Sequence, residues 1–235
     1  MGTSWGSFLQ GLDWSPLWIS LKTGAAATLI CFFLGILTAG WVMGRNKGLR
    51  AFVDSLLTLP MVIPPTAAGF FLLLLFSRKR AVGSFLFDQF GIKVIQSWTG
   101  CVIAAAVIAF PLMYRNARAA FEQVDMDLIY AGRTLGLSDW KIFWKVVFPA
   151  ARPGIISGTV LTFARAMGEY GATSMLAGNI PGKTGTISQR IAMVIQDGNY
   201  AIAGFWTLVV LVIAMAILLL INIFSSDEKR GPGRW

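Results

Sequence analysis

Apolar and polar positions along this chain fall into long blocks, with no two-residue alternation. Four runs carry no charge at all: Thr23 to Gly44, Ser55 to Ser77, Val94 to Tyr114, and Gly198 to Ser226. A hydrocarbon core about 30 Å thick is crossed by ~20 mostly apolar helical residues. A helix suits that medium because it satisfies its backbone hydrogen bonds within one segment. A fifth run, from Pro153 to about Ile180, is interrupted only by Arg165 and Glu169. The pattern predicts an all-α, polytopic membrane protein of about five transmembrane helices. The spans fall near 18–44, 55–77, 94–114, 153–178 and 199–226, in a single domain over 1–235. Pro60, Pro64 and Pro65 are expected to kink the second span or to delay regular helix until Thr66.

Composition agrees with that class. Apolar residues make up 56% of the chain and charged residues 13%, against roughly 25% charged in soluble domains. The 17 Phe and 9 Trp suit a membrane and its interfaces. A net charge of +9 suggests nucleic acid on a soluble protein. Here its placement matters instead, and no nucleic-acid partner is expected. Arg45, Lys47 and Arg50 follow the first span; Arg115, Arg118, Arg133, Lys141, Lys145 and Arg152 follow the third; Lys229, Arg230 and Arg234 form the tail. The other side receives about half as many: Arg78, Lys79, Arg80, Lys93, Lys183 and Arg190. The positive-inside rule therefore places the long third-to-fourth loop and the C-terminus in the cytoplasm and the N-terminus outside. The Arg78-Lys79-Arg80 cluster runs against this majority.

The absence of His removes the commonest general base and metal ligand. Cys31 and Cys101 lie far apart inside apolar runs, so they are read as packing residues and no metal site is expected. The stretch up to Pro16 has Asp13 and no Lys or Arg, so no secretory signal is expected.

The segment 122–152 is too polar to span, yet it is patterned. Asp125 and Asp127 suit a helix start, Leu128 to Leu135 reads as a short helix, and Gly136 is placed to end it in a left-handed cap. Ser138 can cap a second helix, on which Trp140, Phe143, Trp144 and Val147 share a face at i, i+3, i+4 and i+7. Lys141 and Lys145 beside that face would reach lipid headgroups. Two short helices of this kind form either a simple interfacial hairpin or a docking site for a partner protein.

Particular residues tie the loop to a family. Tyr130-Ala131-Gly132-Arg133-Thr134-Leu135-Gly136, followed by Val146-Val147-Phe148-Pro149, resembles the EAA loop of ABC importer permeases. That pattern is Glu-Ala-Ala, three residues, Gly, nine residues, then Ile-x-Leu-Pro. Tyr130 stands where the family has Glu, and Gly132 where it has the second Ala. The stretch Ala164-Arg165-Ala166-Met167-Gly168-Glu169-Tyr170-Gly171-Ala172-Thr173, then Gly178-Asn179-Ile180-Pro181-Gly182-Lys183-Thr184, is similar to molybdate permeases in particular. Sulfate permeases share parts of it. The likeness runs from about Trp18 to Phe224.

The resemblance implies a type I importer permease that forms a homodimer with a shared pathway on its two-fold axis. It further implies cytoplasmic ABC ATPase subunits docked on the loop through Tyr130, Ala131, Gly132, Leu135, Gly136, Val146, Phe148 and Pro149. An extracytoplasmic oxyanion-binding protein would deliver substrate. Nothing catalytic belongs to this chain, and no cofactor: ATP and Mg would be bound by the partner ATPase. A sulfate or other oxyanion permease is the alternative. A non-ABC channel or secondary transporter fits less well, since no inverted repeat is visible.

Two further motifs need weighing. The run Gly178 to Thr184 invites a phosphate-loop reading, but it has three residues between the first Gly and Gly-Lys where that loop needs four, so a folded outer turn is expected. Arg165 and Glu169 are ionisable residues inside a span, which marks a functional-site hypothesis by default. In a helix starting at Pro153 they would sit ~18 Å and ~24 Å along it, one turn apart on one face. They serve either as an internal ion pair that fixes packing or as positive potential offered to a passing oxyanion. Gly154 and Gly158 at the start of the same span predict close helix approach.

Overall fold

The computed structural model describes residues 12–226. All regular structure within them is helical. The first helix, α1 (Ser15–Met43), carries Pro16 in its first turn, where a missing N–H costs nothing. Asn46 caps α2 (Lys47–Val62) by accepting the Leu49 N–H at 2.9 Å. A short α3 (Pro65–Phe76) follows after a bend of 109°. Then come α4 (Ala81–Phe90), the long α5 (Trp98–Glu122), the loop helices α6 (Met126–Thr134) and α7 (Asp139–Ala150), and α8 (Arg152–Met167) at 71° to α7. The chain continues through α9 (Gly171–Ala177), α10 (Ile187–Gln196) and α11 (Tyr200–Ser226).

Helices α1, α5 and α11 are long and apolar enough to cross a membrane, and five crossings result if each bent pair is one span. The second apolar run differs from a merely kinked helix. Helix persists through Pro60 and stops at Ile63, because Pro64 and Pro65 in succession drive the residues before them out of the helical region. Ile63 (ψ 144°) and Pro64 (ψ 134°) are both extended, and Pro65 then opens α3. The fifth run also breaks. Rather than one helix from Pro153 to about Ile180, α8 ends at Met167 and α9 starts at Gly171. Helix α5, in the third apolar run, starts later than that run and continues eight residues beyond Tyr114 to Glu122. Helices α4 and α10 fall in stretches read as connections. The Lys229, Arg230 and Arg234 tail lies outside the described residues.

Packing divides into two clusters. The larger joins α1, α5, α7 and α8 around Cys31, Ala109, Met113, Tyr114, Phe121, Ile142 and Ile155. Small residues allow this approach: a Cβ on Gly35 would lie 2.8 Å from Met113, one on Gly154 2.6 Å from Ala120, and one on Gly158 2.6 Å from Asn116. The smaller cluster joins α3 (Ala68, Leu72), α5 (Ala104, Ile108) and α9 (Ala172, Leu176). Its contacts are equally close, since a Cβ on Gly69 would stand 2.7 Å from the Ala172 backbone. The two helix breaks meet here, because a Cβ on Gly171 would press on Pro65 and Thr66 at 3.0–3.1 Å. Large apolar side chains such as Phe33, Phe71, Leu211 and Met215 face outward. Small residues inside and bulky apolar ones outside suit a bundle surrounded by lipid.

Candidate functional site

The loop between α5 and α8 is a rigid hairpin seated on the larger cluster. Asp125 accepts the Asp127 N–H at 2.9 Å and starts α6. Gly136 ends the turn in the left-handed region (φ 73°), which a side chain would strain. The Gly136 N–H donates to the Arg133 carbonyl (2.9 Å) and the Leu137 N–H to that of Gly132 (3.1 Å). Gly132 is buried where α6 crosses α7; a Cβ there would lie 3.1 Å from Ile142. Arg133 and Asp139 pair across the hairpin at 3.3 Å. Ile129, Leu137, Val146 and Phe148 pack against the core from this side, with Pro149 half-buried beside them.

The second loop helix departs from its predicted face. Residues Phe143–Val147 form a π-helical turn, whose wider pitch brings positions five apart into line. Ile142 and Val147 therefore both point into the core. The stripe of Trp140, Phe143, Trp144 and Val147 is split. Phe143 turns inward against Phe121 (ring centroids 5.3 Å), while Trp140 is 68% exposed and stacks edge-on with Trp144 at 5.6 Å. Ser138 stands at the cap position without a side-chain bond to the helix.

What the hairpin leaves outside is as informative as what it buries. Leu135 is 79% exposed and Tyr130 54%, with Met126, Leu128 and Ala131 also exposed on α6. A short helix fixed by its caps and presenting a bare apolar surface is suited to a partner protein.

A charged network that sequence reasoning missed braces the hairpin's root. Asp54 on α2 accepts from the buried Tyr114 hydroxyl and pairs with Arg118. Arg118 also donates to Glu122 at 2.9 Å, and Glu122 pairs with Arg50. The Arg118/Glu122 spacing of four on α5 was the visible signal; the long-range partners Asp54 and Arg50 had none.

Arg165 and Glu169 lie at the break between α8 and α9. Arg165 Nη1 donates to Glu169 Oε2 at 2.8 Å, although Glu169 is beyond the end of α8. Glu169 Oε1 accepts the Ala172 N–H at 2.8 Å, so one carboxylate holds the cation and the first turn of α9 together. The Glu169 side chain is 2% exposed and that of Arg165 38%. The chain thus shows a buried acid tied to a cation that still reaches open space.

The Gly178–Thr184 stretch is a closed turn. The N–H groups of Lys183, Thr184 and Gly185 all donate to the Ile180 carbonyl at 2.9–3.2 Å, and the Ile180 N–H donates to Thr184 Oγ1 at 2.9 Å. Those N–H groups are spent internally and cannot cradle a phosphate. A capping box of Thr186 and Gln189 starts α10, and Gln189 Nε2 donates to the Gly178 carbonyl at 3.0 Å.

Comparison with known proteins places this geometry. Molybdenum transport system permease protein ModB of Escherichia coli K12 is 40% identical over 223 residues, covering 94% of this chain and 97% of that protein. Sulfate transport system permease protein CysT of the same organism is 32% identical over 94% of this chain and 84% of its own length. A bacterial alginate ABC transporter, solved in complex with alginate pentasaccharide-bound periplasmic protein, superposes with a TM-score of 0.76 over 98% of this chain and 84% of its own. At 18% identity that likeness speaks for the fold alone. Residues 32–227 match the family described as the binding-protein-dependent transport system inner membrane component, and with the permeases matched along nearly their whole length this makes the chain a member of that family.

Proposed function

We propose that this chain is the membrane-spanning subunit of an ATP-driven importer that carries molybdate inward. The observation that carries the reading is the 40% identity over 94% of the chain to a permease of molybdenum transport. The hairpin of α6 and α7 is the contact for a separate cytoplasmic ABC ATPase, which binds ATP and Mg. The exposed Tyr130 and Leu135 supply the docking surface, and Gly132, Gly136, Val146, Phe148 and Pro149 hold its shape. Two copies of the chain share a pathway on a two-fold axis, and an extracytoplasmic binding protein delivers the oxyanion. The N-terminus lies outside and the C-terminus in the cytoplasm.

Coupling then follows from rigidity. ATP closure draws the two ATPase subunits together, and each hairpin moves with its docked subunit. Because Ile142, Val147 and Ile129 lock the hairpin to α1, α5 and α8, the movement is passed to the spans. The bent pairs provide joints where the helical ladder is already interrupted. Arg165, partly open and held by Glu169, offers positive potential beside one joint.

Reconstitution with the ATPase and binding protein tests this directly. ATP-dependent accumulation of molybdate in proteoliposomes is expected, with sulfate taken up far less. Sulfate accumulation without molybdate would favour the second reading, which rests on the 32% identity to a sulfate permease. For orientation, Ser138→Cys in a chain lacking Cys31 and Cys101 is expected to be shielded from impermeant thiol reagents outside intact cells. The exposed Lys183→Cys is expected to react, and the reverse pattern would invert the topology.

A further inference from the structure

At the end of the bundle opposite the hairpin, a cavity of about 280 Å³ lies between the α3–α4 turn and the segment leading into α5. Arg78, Lys79 and Lys93 line it, together with Ser77 and Ile92. Both walls are built. On one side the Arg80 N–H donates to the Ser77 carbonyl at 2.8 Å and the Lys79 N–H to Ser77 Oγ at 3.4 Å, so the turn bearing the first two cations is closed. The Arg78 guanidinium lies 3.3 Å from the centre of the Phe87 ring on α4, which fixes its direction. On the other side Gly91 (φ 65°) ends α4 and turns the chain back, and the Ile92 N–H donates to the Leu86 carbonyl at 3.2 Å. Lys93 is then anchored by the buried Val94, whose carbonyl accepts from Ser97 Oγ at 2.7 Å.

Among the described residues, Arg78, Lys79 and Lys93 meet no carboxylate, in contrast to Arg50, Arg118, Arg133 and Arg165, each of which does. Asp88 on the neighbouring α4 is exposed and pairs with none of them. Three cationic residues lining one cavity without a counter-charge leave a local positive potential that an anion would lower. Arg78 and Lys79 belong to the cluster that runs against the positive-inside majority, so that rule gives no reason for them.

The geometry points to a binding site for a tetrahedral oxyanion of the phosphate class, held by Arg78, Lys79 and Lys93. Guanidinium and ammonium donors suit such an anion, and Ser77 adds a hydroxyl. Two sources share that chemistry: a free inorganic oxyanion, and the phosphate of an anionic lipid whose chains would lie against the exposed Phe85 and Phe90 of α4. The site does not depend on which substrate the protein transports.

The test uses the full-length chain, purified and delipidated in a non-ionic detergent. One arm measures equilibrium binding of radiolabelled inorganic phosphate. The other counts phosphatidylglycerol retained against phosphatidylcholine by native mass spectrometry. Saturable phosphate binding identifies the free oxyanion, and selective retention of phosphatidylglycerol identifies the headgroup. In either case Lys79→Gln and Lys93→Gln are each expected to weaken binding on the order of fivefold, and the triple variant Arg78→Gln, Lys79→Gln, Lys93→Gln to abolish it, while Lys93→Arg retains it. If the triple variant does not insert, the two single variants decide. The site is refuted if the wild type binds neither probe, or if the glutamine variants bind as well as the wild type.

Discussion

At the hairpin end of the bundle Arg50, Arg118 and Arg133 each meet a carboxylate, whereas at the opposite end Arg78, Lys79 and Lys93 line a cavity and meet none among the described residues. The difference separates two uses of the same side chains. The network of Arg50, Asp54, Arg118 and Glu122 spends its charge on holding α2 to α5, and Arg133 with Asp139 spans the hairpin turn. An open cluster keeps its charge available to something outside the chain. Between the two ends, Arg165 combines both, since its carboxylate partner is buried and its own guanidinium is not.

The largest effect is expected where the hairpin's shape depends on one backbone position. Gly136→Pro forces φ near −65° on a residue held at 73°, so uptake in proteoliposomes is expected to vanish while the chain still inserts. Undiminished uptake would separate the hairpin from coupling. Next comes the middle of the molecule. Glu169→Gln removes the partner of Arg165 and weakens the cap on α9; truncating a fully buried pair costs about 3–5 kcal/mol. Because the Arg165 side chain is partly exposed, about half of that is expected, read as a shift in unfolding in mixed micelles. Adding Arg165→Gln removes the imbalance. Restored stability with impaired uptake puts Arg165 on the pathway, and full recovery of both leaves a purely structural pair.

Smaller shifts sharpen the contrast between the ends. Arg118→Gln leaves Asp54 with the Tyr114 hydroxyl and Glu122 with Arg50, and a loss of about 1–2 kcal/mol is expected for a hydrogen-bonded, partly exposed charge. Lys79→Gln with Lys93→Gln breaks no pair, so stability in delipidated micelles is expected to stay within about 0.5 kcal/mol. Equal losses at both ends would erase the distinction.

Much of the fold was legible because lipid simplifies the code. Uninterrupted apolar runs gave the long helices, and Asp125 with Gly136 bounded α6 through local chemistry. The breaks were harder. Three prolines announced one in the second span but not its place, which Ile63 and Pro64 decided by turning extended together. The break after Met167 carries no proline. Only Gly168 and Gly171 hint at it; there Gly171 lies close against Pro65 and Thr66 of the other bent span, and Glu169 caps the Ala172 N–H. Helix α10 was missed although Thr186 and Gln189 carry a capping-box signal, whereas α4 packs on the Ser77 turn. In the hairpin, 3.6-residue spacing put Trp140 and Val147 on one face, and the π turn at Phe143–Val147 separated them. The link from Asp54 to Tyr114 joins residues 60 apart and left no trace in the pattern.

The central claim is that the bare apolar surface of α6 holds an ABC ATPase. Affinity purification of the chain from its native membrane, with the co-eluting proteins identified by mass spectrometry, tests it most directly. The wild type is expected to bring down a nucleotide-binding subunit in near-stoichiometric amount. Tyr130→Asp with Leu135→Asp, two exposed positions whose change spares the core, is expected to lose it while the chain remains in the membrane. Co-elution of that subunit undiminished by the double variant, or a wild type that brings down no ATPase, would contradict the claim.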